Sequence, residues 1–515
     1  MQVGQPHTFL GNYARAALTA AGLILALGIF ARADEPADSL TLHSAFSGIL
    51  KDDAQQDDVE LTSLLAPVEP ANTTPATDEL PPPASAKAAD SDSMQEILKR
   101  LDALEKSAKA AEAKKGDAKG AGDKPPIGEW VDMSNDKWTI KLGGQFNLDS
   151  INWADHDPQV PADNYIEFRR LRLIGEAVGY GVYDARLMME FEPENGDGTD
   201  RPVVDVKDAY LTMNELPEPL CRWRMGNFFV PFSLEQVTND TQSVFLERSI
   251  PTQGIFAFDR EVGTAFYGIN DAKDFTWSSG VFVDSLSEST KERIDDNQGQ
   301  RVSERITWLP YYDEPSNGRY LVHTGAGVVY THDQDGLVRF RSRPQIHEGP
   351  FLIDSGNLAA GEYTTGNLEF AVVNGPFSVQ SEAFLANVNM IGADSEWIGG
   401  AYIYCSYYLT GENRTYERYG QHGAQFGRTV PYSNFFWVPG CCGPGAWEVK
   451  ARWSNFTLNS VDAGQYNDFT FGFNWYWTER IRCMFDWIHP VTTPGTKPYG
   501  DTTSDIIGMR LDYNF

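Results

Sequence analysis

The chain has 515 residues, with 42 basic and 72 acidic residues, a net charge of −30 and an isoelectric point near 4.6. That acidity argues against a nucleic-acid partner, because binding a phosphate backbone needs an excess of Lys and Arg. After residue 33 no apolar run approaches the ~20 residues that a spanning helix needs, which excludes a helical membrane protein.

Residues 1–33 read as a signal peptide. Arg15 precedes the apolar run Ala16 to Phe30, and Ala31-Arg32-Ala33 forms an A-x-A-like cleavage site. The run is short for a membrane anchor, and no Cys follows the cleavage point to carry a lipid. Residues 34–93 hold 13 acidic residues against two lysines and include a Pro/Ala/Ser-rich stretch, the composition of an acidic disordered segment. In residues 94–116, Met94, Ile97, Leu101, Leu104, Ala108 and Ala111 follow a 3,4 spacing, which predicts a short coiled-coil helix. Residues 117–129 form a Lys/Gly/Pro linker.

From residue 130 to 515 the period changes to two. Trp138, Ile140, Leu142, Phe146 and Leu148 alternate with Thr139, Lys141, Gln145, Asn147 and Asp149, and Phe469, Phe471, Phe473, Trp475 and Trp477 line one face of a later segment. Sixteen strands are predicted, starting near residues 138, 165, 183, 204, 221, 261, 274, 302, 320, 366, 377, 397, 447, 467, 481 and 504. Short turns alternate with longer polar loops, the count is even, and aromatic residues gather at strand ends. Together these predict an all-β protein, an antiparallel transmembrane β-barrel of about 16 strands. Soluble β-sandwiches are the competing fold, but they would mesh large residues with small ones, whereas these outward faces are nearly all large.

Seven stretches, in order, resemble the phosphate-selective porin O/P family of bacterial outer membranes: "FRRLRL" (168–173), "KDAYL" (207–211), "MGNFFVPFSLE" (225–235), "FLERS" (245–249), "YYLTGENRTY" (407–416), "GAWEVKARWSN" (445–455) and the terminal strand. The resemblance implies a sixteen-stranded, usually trimeric barrel that passes small anions across the outer membrane. It also implies that residues 230–260 fold inward as a constriction loop and that the terminal Phe515 is read by the barrel-assembly machinery. Strand register puts that loop on the outer side and leaves the N-terminal segment in the periplasm.

Alternation assigns Arg170, Arg172, Arg186, Asp208, Arg222, Arg224, Lys450, Arg452, Arg482 and Arg510 to the pore wall, since a charge facing lipid at mid-depth costs about 2–4 kcal/mol. On the constriction loop, Arg248 and Arg260 are the candidate selectivity residues, with Glu235 and Glu247 as their acidic neighbours. Guanidinium groups suit oxyanions, because they stay charged and donate forked hydrogen bonds. Pairing of each Arg with a carboxylate is the competing reading, since residues 130–515 hold 30 basic against 52 acidic residues. Phe229-Val230 stands where the family pattern often has a basic residue before "PFSLE", which favours general diffusion or weak anion preference over phosphate selectivity.

No enzyme motif of the G-x-S-x-G or H-E-x-x-H type occurs, and neither a cofactor nor a metal is expected. The acidic "ENGDGTD" loop (194–200) lacks EF-hand spacing. Outer-membrane lipid, small hydrophilic solutes or inorganic anions, and two further copies of the chain are the expected partners. A structural tether reaching the cell wall through the coiled coil is the alternative function.

Overall fold

Alternation along the chain is realised as sixteen long strands: β1 Trp138–His156, β2 Tyr165–Gly179, β3 Tyr183–Glu190, β4 Asp205–Met213, β5 Arg222–Phe229, β6 Arg260–Ile269, β7 Phe275–Phe282, β8 Gln300–Tyr312, β9 Tyr320–His332, β10 Leu358–Asn374, β11 Phe377–Met390, β12 Glu396–Tyr408, β13 Ala446–Thr457, β14 Gln465–Tyr476, β15 Ile481–Thr492 and β16 Ser504–Asn514. The structure is a computed structural model that describes residues 131–132, 137–191, 204–253, 256–283, 299–333, 336–436, 440 and 443–515. The signal peptide (1–33), acidic segment (34–93), coiled-coil helix (94–116), linker (117–129) and the 194–200 loop expected from sequence lie outside the described residues.

Each strand pairs antiparallel with the next, and β16 returns to β1 through Asn147 opposite Asp512 and Leu148 opposite Leu511. The barrel is therefore closed, and every strand has two neighbours to take up its backbone N–H and C=O groups, the condition for a sheet to cross hydrocarbon. Closure extends to the last residue: Phe515 N–H donates to Gly144 O at 3.0 Å and Gly144 N–H to Phe515 O at 3.1 Å. Gly144 must lack a side chain there, because a Cβ would lie 2.4 Å from the Phe515 ring and 2.6 Å from Arg172 O.

Fifteen strands start within two residues of the sequence reading. The exception is β10, which begins at Leu358 rather than near 366. Its first turn of pattern is inverted: Leu358, Ala360 and Tyr363 are buried inside the barrel, and a bulge between Ala360 and Glu362 shifts the parity. Elsewhere the faces separate as expected. Leu368 is 67% exposed while its neighbours Asn367 and Glu369 are buried, and Phe471 is 48% exposed beside buried Thr470.

The two ends differ. At the end where the chain enters and leaves the barrel, connections are short, such as Gly375-Pro376 and 477–480, except for one of 37 residues (409–445) between β12 and β13. The predicted strand starts near 397 and 447 already leave room for it. At the other end lie the long segments 230–259 and 333–357. The described parts of all three fold into the barrel. In segment 230–259, residues 231–247 touch β8, β11, β13, β14, β15, β16 and β2, which only an interior path allows.

An entirely polar lumen, the simple expectation for a porin wall, is not what forms. Phe232, Phe245, Ile250 and Phe256 of the inward segment pack with Phe384, Tyr402 and Phe456 of the wall and Ile346 and Leu352 of segment 333–357 in one buried cluster. Strands β11 to β13 thus turn apolar residues inward because an inner segment, not water, covers them.

Replacing an outward residue at mid-strand tests the assignment of faces. Leu368→Arg lowers barrel stability by about 2–4 kcal/mol in urea titrations of vesicle-folded protein. A loss under 1 kcal/mol, on the order of an ordinary surface change, contradicts the assignment of this face to lipid.

Candidate functional site

The inward segment after β5 starts at Pro231 and is pinned by local caps. Ser233 Oγ accepts from Gln236 N–H at 3.3 Å and opens the single-turn helix α1, Leu234–Val237. Asn239 Oδ1 accepts from Thr241 N–H at 3.1 Å and opens the 3-10 turn Asp240–Gln242. On the wall, Glu382 of β11 accepts the backbone N–H groups of Leu234 (3.0 Å) and Glu235 (2.8 Å), together with Asn367 Nδ2 (2.9 Å) and the Tyr402 hydroxyl (2.6 Å). Across the barrel, Val244 O accepts from Lys450 Nζ at 2.7 Å and Asn474 Nδ2 at 2.8 Å, and Leu246 N–H donates to Asp486 at 2.9 Å.

Charges on this segment meet those on the wall. Asp240 pairs with Arg172 and, at 2.8 Å, with Arg170. Glu247 pairs with Arg169 at 2.9 Å, Arg510 at 2.8 Å and Arg170 at 3.7 Å. Arg172 also binds Glu190 at 2.7 Å, and Arg510 binds Asp149 at 2.6 Å. Burial alone would raise both loop carboxyls. The Arg172 and Arg170 guanidiniums beside Asp240, and Arg169, Arg170 and Arg510 beside Glu247, outweigh it and hold both well below the usual carboxylate range.

Two bulges supply part of this cluster. Asn147 pairs with Arg170 and Leu148 with Phe168, so Arg169 is the extra residue and two consecutive arginines turn inward. Met188 pairs with Asp208 and Met189 with Val206, which makes Lys207 extra and brings it to Glu190 (3.3 Å) and Asp205 (2.8 Å). Sequence reasoning missed Arg169, Lys207 and Asp240. For Arg169 the signal was present: the outward residues Phe168 and Leu171 are three apart, where strict alternation allows two or four.

The other residues singled out from sequence are also placed with partners. Arg186 binds Glu176 and, at 2.9 Å, Asp208, which in turn binds Arg260 at 2.6 Å. Arg260 is the first residue of β6 and stacks on Phe229, so it belongs to the wall rather than to the constriction loop. Lys450 binds Asp486 at 2.6 Å, Arg482 binds Asp512 at 2.7 Å, and Arg452 lies 3.5 Å from Glu235, whose carboxylate also takes the Ser249 N–H and hydroxyl. Arg305, Glu369 and His323, none of them singled out, form a buried triad in which Tyr416 meets His323 at 2.7 Å.

Arg222, Arg224, Arg248 and Arg414 have no carboxylate within ion-pair distance among the described residues. Arg222 bonds Asn214 and Gly420 O; Arg224 bonds Thr212 and faces His422; Arg248 donates to the carbonyls of Glu235 and Gln236; Arg414 donates to Gln380 and Tyr404. His422 is kept neutral, its pKa pushed well down by burial and by Arg224, Arg186 and Arg260. Arg414 and His422 come from segment 409–445, whose hairpin Tyr416–Gly420/Gly423–Phe426 meets the α1 region through Phe426 N–H on Thr238 Oγ1 at 3.3 Å. Arg248 and Arg414 line one recess with Glu235, Glu247, Phe245, Gln380 and Tyr404. Chemically this is a recess at the meeting point of two inward segments, in which the guanidiniums of Arg248 and Arg414 form no ion pair while its carboxylates, Glu235 and Glu247, are bound by Ser249 and Arg452 and by Arg169, Arg170 and Arg510.

The family model for phosphate-selective porin O and P matches residues 140–515. Porin O of Pseudomonas aeruginosa is 25% identical over 423 residues, covering 75% of this chain and 90% of that protein. Among solved structures, a loop-deleted form of the Vibrio cholerae outer membrane protein OmpT aligns with a TM-score of 0.47 at 11% identity, over 74% of this chain and all of its own. An anion-selective porin from Comamonas acidovorans gives 0.43 at 10% identity, again over 74% of this chain and all of its own.

Two outcomes test this geometry. Glu382→Ala strands the α1 amides at roughly 1–3 kcal/mol per buried donor, so single-channel recordings gain open-state noise and a larger mean conductance; unchanged recordings contradict the anchor. Because Asp240 and Glu247 sit below their unfolded values of about 4, their stabilisation is present above that pH and is lost only as pH falls through the lower folded values. Asp240 and Glu247 therefore stay ionised from pH 8 down to about 4, and protonation of either carboxyl near pH 5–6, read by infrared titration against Asp240→Asn and Glu247→Gln, contradicts the ion pairs.

Proposed function

We propose a weakly anion-preferring pore for this chain, which belongs to the phosphate-selective porin O and P family and is thus a multi-pass outer-membrane β-barrel porin, a channel for small hydrophilic solutes. The preference is carried by one observation: Arg248 and Arg414 face the same recess without an ion pair among the described residues, while the two carboxylates that line it, Glu235 and Glu247, are engaged by Ser249 and Arg452 and by Arg169, Arg170 and Arg510. Most other inward cations are neutralised by carboxylates, so the charge left to act on a passing ion is small and concentrated there. The missing basic residue at Phe229-Val230 agrees with this reading, and phosphate is one small anion among several rather than a dedicated cargo.

Members of that family are channels rather than enzymes. Three further points extend the proposal. The chain assembles as a homotrimer; its N-terminal segment lies in the periplasm, supported by both barrel termini emerging at the short-turn end; and Phe515 serves the barrel-assembly machinery. The outward stack of Trp447, Phe473 and Phe485 supports contact with lipid.

Planar-bilayer recordings of the purified protein test the reading. Discrete channels whose reversal potential in a KCl gradient favours chloride are expected, and Arg248→Gln with Arg414→Gln moves that potential towards zero. A wild-type cation preference overturns the anion bias, and an absence of channels overturns the porin.

A further inference from the structure

The ion pairs around Asp240 and Glu247 form one connected network among the described residues. Its cations are Arg169, Arg170, Arg172, Lys207 and Arg510, and its carboxylates are Asp149, Glu190, Asp205, Asp240 and Glu247. The wall strands contribute all five cations but only three carboxylates, leaving two positive charges in excess. The inward segment brings the remaining two carboxylates, and the network becomes neutral.

Each loop carboxylate sits where an oxyanion would. Asp240 bridges Arg170 and Arg172, and Glu247 is shared by Arg169, Arg170 and Arg510, the multiple guanidinium contact that a phosphate or sulfate ion would make. Both are held tightly in place. Arg510 also donates to Leu246 O, Arg452 donates to Glu247 O at 3.0 Å, and Asp240 lies within the capped turn Asp240–Gln242.

We infer that Asp240 and Glu247 are tethered counter-anions that occupy an oxyanion-binding guanidinium cluster on the wall, and that they set the selectivity of the channel by excluding free anions from it. The inference rests on the porin reading and deepens it. Neutral side chains of the same shape at these two positions keep the loop's packing and uncover two positive charges. The vacated positions then accept small tetrahedral oxyanions.

The test uses full-length protein in planar bilayers with a KCl gradient, and inorganic phosphate as the probe. Asp240→Asn with Glu247→Gln raises the chloride-to-potassium permeability ratio at least about threefold, and millimolar phosphate now reduces the chloride current. Adding Arg170→Gln and Arg172→Gln to that variant abolishes both gains. Arg172→Gln in the otherwise wild-type chain leaves the network with one negative charge in excess and shifts the reversal potential towards potassium, a readout that does not depend on the carboxylate variants assembling. Unchanged reversal potentials in variants that form channels overturn the inference, as does a phosphate block that survives loss of Arg170 and Arg172. Wild-type protein that forms no channels overturns the porin reading instead.

Discussion

Neutralisation of buried wall guanidiniums by carboxylates carried on an inward chain segment is the constraint on which the rest of this structure depends. A cation in the barrel wall cannot face lipid, so alternation forces Arg170, Arg172 and Arg510 inward. Once an inner segment covers them, they are nearly sealed from water, and a buried charge that loses its partner costs about 3–5 kcal/mol. The segment that covers them must therefore bring acids, and it does so with Asp240 and Glu247. The same contacts then fix where the segment runs.

Apolar packing completes what the charges begin. One side of the inward segment offers Asp240 and Glu247 to the arginine-bearing strands β2 and β16. The other offers Phe232, Ile250 and Phe256 to β11 to β13, whose inward residues are correspondingly Phe384, Tyr402 and Phe456. A segment with both faces satisfied has no reason to swing out. Between them, the hairpin Tyr416–Gly420/Gly423–Phe426 enters from the opposite end and meets α1, so the recess at Arg248 and Arg414 is shaped from both sides.

Most of the barrel was legible in the sequence because closure makes period-two alternation obligatory: lipid on one side and a different environment on the other leave no freedom of register. Fifteen strand starts and the inward set of charges follow from that rule. What alternation cannot register is a bulge, which shows only as an odd spacing such as Phe168 to Leu171, or a strand like β10 whose inner face is apolar because another segment covers it. The hairpin of 409–445 was invisible for a related reason. Its inward residues, such as Arg414 and His422, are held by contacts with Gln380, Tyr404 and Arg224 that lie far away along the chain. The competing reading of paired charges, drawn from the excess of acids over bases, describes most of the wall, with Arg222 and Arg224 of β5 and Arg248 and Arg414 of the inward segments as exceptions.

The most direct measurement is an experimental density map of the full-length protein in lipid, at a resolution that shows carboxylate and guanidinium groups. Expected is continuous density for residues 231–252 across the inside of the barrel, with Asp240 between Arg170 and Arg172 and Glu247 among Arg169, Arg170 and Arg510. A segment lying outside the barrel, with those guanidiniums open to solvent, would contradict the central claim.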